Sequence, residues 1–192
     1  MNTVDKQYQG FLRKLIMYGQ EKEDRTGTGT LSYFGEQFRH DMSKGFPLLT
    51  TKKMAIKTMM TELKWFLKGD TNVKYLVDNG CNIWNGDAYK NFLKNSVPHD
   101  HQETMQEFIN KIKTDDEFAA KWGELGPIYG KQWKDWAGKD QIKELIKNIK
   151  ENPNSRRLIV SAWNVGELSL MKLPPCHYGF QCYVNDGKLS LM

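Results

Sequence analysis

Leu173-Pro174-Pro175-Cys176-His177 puts a thiol directly behind two prolines. Each proline fixes φ, so the chain enters the cysteine along a stiff path. A nucleophile requires that stiffness, because its sulfur must be held at one place against its target. The reactive form is the thiolate. A free thiol titrates near about 8.5, so only a few per cent is ionised at neutral pH. A nearby cation favours the ionised form, and Arg156-Arg157 offers two guanidinium groups. Taken alone, such a pair is more often a solvated face. Cys81 and Cys182 read as small buried hydrophobes. Adjacent strand residues point to opposite faces, so Cys176-His177 is not read as a thiol–imidazole dyad.

Two more residues could do chemistry. Glu62 lies inside the most apolar segment, with Thr58, Trp65 and Phe66 as neighbours at helical spacing. A carboxylate there is costly unless it is partnered or functional. An outward-facing Glu in a helix it favours is the other reading, and on spacing alone the two stand level. Gly126-Pro127-Ile128-Tyr129-Gly130-Lys131-Gln132-Trp133 is a rigid aromatic turn. Tyr129 there either donates to a ligand or caps a core.

The elements that must position these groups follow from periodicity. Tyr8, Phe11, Leu12, Leu15 and Ile16 recur at helical spacing over 5–19, and Gly19 is the stop. The alternating Thr-Gly run from Thr26 to Thr30 predicts a loop feeding a strand over 31–40. Residues 54–68 are apolar nearly all round, which predicts a buried helix. A short helix follows with Val73, Leu76 and Val77. Residues 86–124 are polar and helix-favouring and carry no chemical pattern, so they predict a helical surface insertion. Ile142, Leu145, Ile146 and Ile149 mark an amphipathic helix. Buried strands are predicted over 157–163 and 178–184. Asn185-Asp186-Gly187 signals a hairpin into Lys188-Leu189-Ser190-Leu191-Met192.

Composition bounds the answer. The 192 residues are 39% hydrophobic and 27% charged, ordinary for a globular domain. Net charge is 28 − 23 = +5. That suits an anionic ligand without demanding nucleic acid. RNA binding is permitted, but the basic-aromatic stripe it uses is missing. Three cysteines are an odd, widely spaced set and argue against a disulfide framework. No apolar run is long enough for a bilayer, and the N-terminus has no signal core. A cytoplasmic location is the resulting expectation, with no metal site and no membrane.

Taken in order, the motifs stop being independent. Glu23-Asp24-Arg25-Thr26-Gly27-Thr28-Gly29-Thr30, Phe46-Pro47-Leu48-Leu49-Thr50-Thr51-Lys52-Lys53, Glu62-Leu63-Lys64-Trp65-Phe66-Leu67, Tyr129-Gly130-Lys131-Gln132-Trp133, Ser155-Arg156-Arg157 and Pro174-Pro175-Cys176-His177 follow one another along the chain. Together they resemble the thymidylate synthase family from about Tyr8 to Met192.

The resemblance implies an α+β fold, a single catalytic domain over 1–192 with a helical insertion at about 86–124. It implies a large twisted mixed sheet flanked by helices, with two sheets packing back to back in a homodimer. The implied activity is reductive methylation of dUMP to dTMP by 5,10-methylenetetrahydrofolate, giving dihydrofolate. Cys176 then matches the nucleophile that adds to C6 of uracil. Glu62 matches the carboxylate that organises water for proton transfer, and Tyr129 its partner in the hydrogen-bond network. Arg25, Arg156 and Arg157 match phosphate ligands, the last two acting in the partner subunit's site. A phosphate dianion suits convergent arginines. Ile83, Trp84 and Leu173 match folate contacts. Asp87 and Ala55 depart from the family pattern in the folate region.

The resemblance also implies further uracil, ribose and folate contacts beyond Met192, so the hairpin strand 188–192 is expected to mark an interrupted chain that is inactive alone. Two rival readings accompany the first. One is a dUMP or dCMP hydroxymethylase of the same family, and the other a non-catalytic fragment that binds nucleotide.

Overall fold

Asn2 starts the first helix by a capping box. Its side chain accepts the Asp5 N–H at 2.8 Å, and the Asp5 carboxylate takes the Asn2 N–H in return. The helix, α1 (Thr3–Tyr18), ends where Gly19 donates to the Leu15 carbonyl at 2.8 Å. The computed structural model describes residues 2–23, 27–96 and 103–192. These fall into two compact units, Met1–Ala55 and Ile56–Met192.

In the first unit, β1 (Gln20–Lys22) pairs antiparallel with β2 (Thr30–Ser32). The strand expected over 31–40 stops at Ser32; the remainder runs without regular pairing to a 3-10 turn at Met42–Lys44. Beyond Ser32 no neighbouring strand offers a ladder among the described residues, so residue type alone does not extend it. Asp5 is 1% exposed and ties the 47–50 segment to α1. It accepts the Thr50 N–H at 2.8 Å and the Thr50 hydroxyl at 2.5 Å, while the Asn2 amide donates to the Leu48 carbonyl.

The Thr50 hydroxyl, then the Thr50 N–H, hold the Asp5 carboxyl below the usual range. A carboxyl depressed on folding stabilises above its unfolded pKa, and that contribution disappears as pH falls through the folded value. Asp5→Asn should therefore melt lower than the parent at pH 7 and converge with it as acid protonates the parent carboxyl. Calorimetric melts across pH check this. Parallel curves at every pH would show that the Asp5 charge contributes nothing.

The second unit is built around α2 (Ile56–Leu67), α3 (Lys74–Asp78) and α7 (Tyr129–Asp135). Trp65 and Phe66 of α2 are buried, and the Trp65 indole donates to the Asn72 carbonyl at 2.9 Å. Phe66 packs on Tyr129 and Trp133 with ring centroids 4.5 and 5.5 Å away. The expectation of an all-round buried α2 is corrected. Ile56, Met60, Leu63 and Leu67 are 39–47% exposed, so the apolar face they form is only partly covered.

α4 (Asn85–Asn95), α5 (Met105–Thr114) and α6 (Asp116–Trp122) cover the segment that reads as polar. Each is amphipathic. Phe92, Phe108 and Ile112 are buried, and Phe92 contacts Phe108, Phe118 and Trp122 at 5.1–5.7 Å between centroids.

α8 (Gln141–Glu151) is capped by Asp140, whose carboxylate accepts the Lys143 N–H. It leads to β3 (Ile159–Ser161), which pairs antiparallel with β4 (Gly179–Asn185), which pairs with β5 (Lys188–Leu191). Asp186 and Gly187 both take positive φ, 49° and 70°, as the two central residues of a tight hairpin turn must. The strand predicted over 157–163 is three residues long. Val160 is fully buried while Ile159 is half exposed, so one face only meets the core. The described residues therefore hold helices with small antiparallel sheets of two and three strands, and not the single large sheet the resemblance implies. Among them no helix is long and apolar enough to cross a membrane.

Candidate functional site

Four separate stretches of the second unit meet at one aromatic cluster. α2 brings Glu62, one turn before the buried Trp65-Phe66 pair. The turn after α3 brings Cys81, Ile83 and Trp84. The start of α7 brings Tyr129. The loop before β4 brings Cys176 and His177. The helical spacing explains the first: with Trp65 and Phe66 facing the core, Glu62 stands at the border of that face, half-buried.

Glu62 is a partnered carboxylate. Its Oε1 accepts the Trp84 indole N–H at 2.8 Å. Trp84 is 4% exposed and its ring lies 5.8 Å from Trp65 and 6.2 Å, edge-on, from Tyr129. The two readings of Glu62 are thus decided against the outward-facing one.

Tyr129 is buried in the cluster, and its phenol oxygen is engaged by backbone while its own O–H stays available as a donor. Its phenol oxygen accepts the Cys176 N–H at 2.6 Å and the His177 N–H at 3.2 Å. The His177 ring sits 5.4 Å from the Tyr129 ring. Burial pushes the Tyr129 phenol up from its ordinary range, the two N–H donors oppose the shift, and the charges of Cys176 and Glu62 reinforce it. Its proton stays in place at neutral pH.

Cys176 is the exposed cysteine; Cys81 and Cys182 are buried. Burial raises the thiols of both buried cysteines, and Glu62 adds to the shift at Cys81. Buried, protonated thiols are inert, in line with their reading as small hydrophobes. The Cys81 thiol points at the Thr58 carbonyl, 3.8 Å away on the helix that carries Glu62.

The remaining residues are arranged differently. Arg156 and Arg157 sit exposed just before β3, and neither guanidinium has a partner among the described residues. The Arg156 carbonyl accepts the Gln181 side chain at 3.5 Å, so the strand pair holds this turn. Ile83 is 51% and Leu173 37% exposed; each offers an apolar side chain at the surface. Arg25 lies outside the described residues. No group of three metal-ligating side chains occurs among the described residues.

Sequence reasoning missed a polar network behind Tyr129. Gln132, fully buried, bonds to Glu167 and Asn164. The available signal was an amide inside Tyr129-Gly130-Lys131-Gln132-Trp133, where buried polar groups need partners.

The chain also has close relatives. A family model described as thymidylate synthase matches residues 6–192. The thymidylate synthase of Mycoplasma mobile is 57% identical over 185 residues, covering 96% of this chain and 64% of that protein. That of Mycoplasma genitalium is 56% identical over 186 residues, covering 97% and 64%. That of the Aster yellows witches'-broom phytoplasma is 53% identical over 191 residues, covering 100% and 64%. The chain thus spans 64% of the length of these relatives. A thiol, a phenol and a carboxylate gathered on one aromatic cluster, and a match running through nearly every residue, lead to one conclusion: the chain belongs to the thymidylate synthase family.

Proposed function

We propose that the protein carrying this chain converts dUMP to dTMP, with 5,10-methylenetetrahydrofolate as co-substrate and dihydrofolate as second product. The observation that carries the reading is the join between Tyr129 and the Cys176 peptide, with Glu62 held by Trp84 against the same ring cluster. Cys176 is the nucleophile. Its sulfur bonds to C6 of uracil, the C5–C6 double bond opens, and the electron pair moves toward C5 and the ring carbonyl as an enolate. C5 is then a carbon nucleophile. It bonds to the one-carbon unit and then gives up its proton to ordered water; the electron pair left behind re-forms the C5–C6 double bond and expels the Cys176 sulfur as thiolate, and a hydride completes the methyl group.

The folate, when bound, supplies the one-carbon unit and the hydride. Exposed Ile83 and Leu173 fit a flat, largely apolar ring system. The Trp84 N–H is engaged by Glu62, so Trp84 contributes a ring and not a donor. Tyr129 keeps its proton while both N–H groups occupy its oxygen, so its O–H is a donor directed at the reacting ring. Glu62 orders the water that carries protons to and from that ring.

Arg25, Arg156 and Arg157 bind the nucleotide phosphate, the last two in the site of the partner in a homodimer. That Arg156 and Arg157 are exposed and without a side-chain partner among the described residues supports this, because a solvated guanidinium is ready for a dianion. The chain forms one cytoplasmic catalytic domain with its helical insertion, and β3–β5 belong to a larger twisted sheet that packs on its partner's.

The test uses the full-length protein with dUMP and methylenetetrahydrofolate, following dihydrofolate absorbance and the nucleotide product. A rise that requires both substrates, with dTMP formed, is expected. A folded protein giving no product overturns the reading, and a hydroxymethylated nucleotide without dihydrofolate replaces it with the hydroxymethylase.

A further inference from the structure

Gln132 lies one helical turn after Tyr129 on α7 and is fully buried. Every hydrogen-bonding atom of its amide is used. Nε2 donates to the Pro127 carbonyl at 2.7 Å and to Glu167 Oε2 at 2.6 Å, and Oε1 accepts from Asn164 Nδ2 at 3.1 Å. Asn164 Nδ2 also donates to Glu167 Oε2 at 3.0 Å. The Glu167 carboxylate therefore accepts two N–H groups, and the three side chains close a ring of bonds. On the opposite side, Gln141 donates to the Gln132 carbonyl at 2.7 Å and accepts the Ser161 N–H at 3.0 Å. α7 is thus fixed to β3 as well.

This ring is the first of three points where the segment 164–177 is stitched to the segment 125–132. The second lies further along, at Leu170 and Lys172. Lys172 donates to the Leu125 carbonyl at 2.9 Å, and the Leu170 carbonyl oxygen sits 2.2 Å from where a side chain on Gly126 would begin. Gly126 has φ +83°, so the close approach requires glycine there. The third is the pair of N–H groups from Cys176 and His177 on the Tyr129 oxygen. Between the second and third points, Pro174 and Pro175 leave the chain little freedom to absorb a shift.

We infer that Gln132, Asn164 and Glu167 form a clamp that sets the distance between Tyr129 and Cys176. Gln132 and Glu167 are positioning residues for chemistry at Cys176. Their side chains bond to each other, to Asn164 and to the Pro127 carbonyl, and not to the Cys176 thiol; they act through the register of the two segments. The inference rests on the reading of Cys176 as nucleophile and Tyr129 as its partner. A partly satisfied buried network of this kind is worse than none, so loss of one member loosens the whole. A misplacement of about 1 Å at a reacting pair costs on the order of 100-fold in rate.

The test is hydrogen exchange at the Cys176 and His177 amides of the full-length protein, with steady-state kinetics alongside. Tyr129→Phe, which removes the acceptor, sets the signature: exchange about tenfold faster at those two amides. Glu167→Ala should reproduce it and lower kcat by about 10-fold to 100-fold, with KM for dUMP moving by less than about 3-fold. Glu167→Gln keeps an acceptor oxygen for both N–H donors and should retain most of the protection. If Glu167→Ala does not fold, Asn164→Ala decides by the same signature, since it removes one side of the ring and leaves the Gln132–Glu167 bond. Variants that lose overall stability while the two amides keep wild-type exchange would overturn the clamp. Exchange needs no turnover, so a wild-type protein without activity but with the predicted exchange pattern sinks the synthase reading and keeps the clamp.

Discussion

Cys176→Ala in the full-length protein is expected to abolish dTMP formation and the covalent capture of 5-fluoro-dUMP. Without the sulfur no bond to C6 forms, the C5–C6 double bond is not opened, and C5 never becomes nucleophilic. Loss of a covalent nucleophile costs up to about 10⁶-fold in rate, so turnover should fall to background. Cys182→Ala is the control. Cys182 is 4% exposed on β4, with its N–H on the Leu158 carbonyl at 2.8 Å. Its truncation leaves a small cavity in the core, and should lower stability modestly while capture of 5-fluoro-dUMP persists. Capture is read as a covalent adduct by mass spectrometry of the denatured protein. Equal losses in the two variants would remove Cys176 from its assigned role.

The second large effect concerns phosphate. Arg156→Glu replaces a cation by an anion where a dianionic phosphate is proposed to bind, and the variant alone should bind dUMP poorly. If the guanidinium acts in the partner's site, mixing with Cys176→Ala subunits restores activity. A mixed dimer has one site with a native cysteine and native arginines from across the interface, and one doubly defective site. With random exchange, half the dimers are mixed, so roughly a quarter of wild-type activity returns for a two-fold symmetric dimer. Mixed dimers proven by native mass spectrometry yet inactive would sink the shared site. Arg156 and Arg157 are exposed and unpartnered among the described residues, which makes the variant unlike a core substitution, so loss through unfolding is not the expected route.

Much of the site was legible in residue types. A cysteine behind two prolines, a carboxylate in an apolar helix and a tyrosine in a rigid turn are local statements, and each was readable because proline, charge and aromatic bulk act over a few residues. The 185–188 hairpin was legible for the same reason, because the turn after Asn185 needs positive φ at Asp186 and Gly187. Asn2, Thr104 and Asp140 cap their helices through their own side chains, a signal that apolar periodicity does not carry. The ordered run of motifs carried the family assignment with them.

What a residue's neighbours decide lay out of reach. Whether Glu62 faced inward depended on Trp84, 22 positions away, offering its indole N–H. That Tyr129 meets the Cys176 backbone depended on a contact across 47 positions. α2 is apolar nearly all round, yet one face stays exposed, because burial depends on what covers a helix and not on its own pattern. Strand lengths at 30–32 and 159–161 were set by which ladders found partners. Gln132 looked like any polar residue in a helix, and only folding brought Asn164 and Glu167 to it from 32 and 35 positions away. The sequence by itself determined which residue types are on hand for chemistry, which segments carry helical periodicity and where the 185–188 turn falls. The tertiary structure alone decided which groups meet, because hydrogen bonds and burial are properties of pairs that the chain brings together from afar.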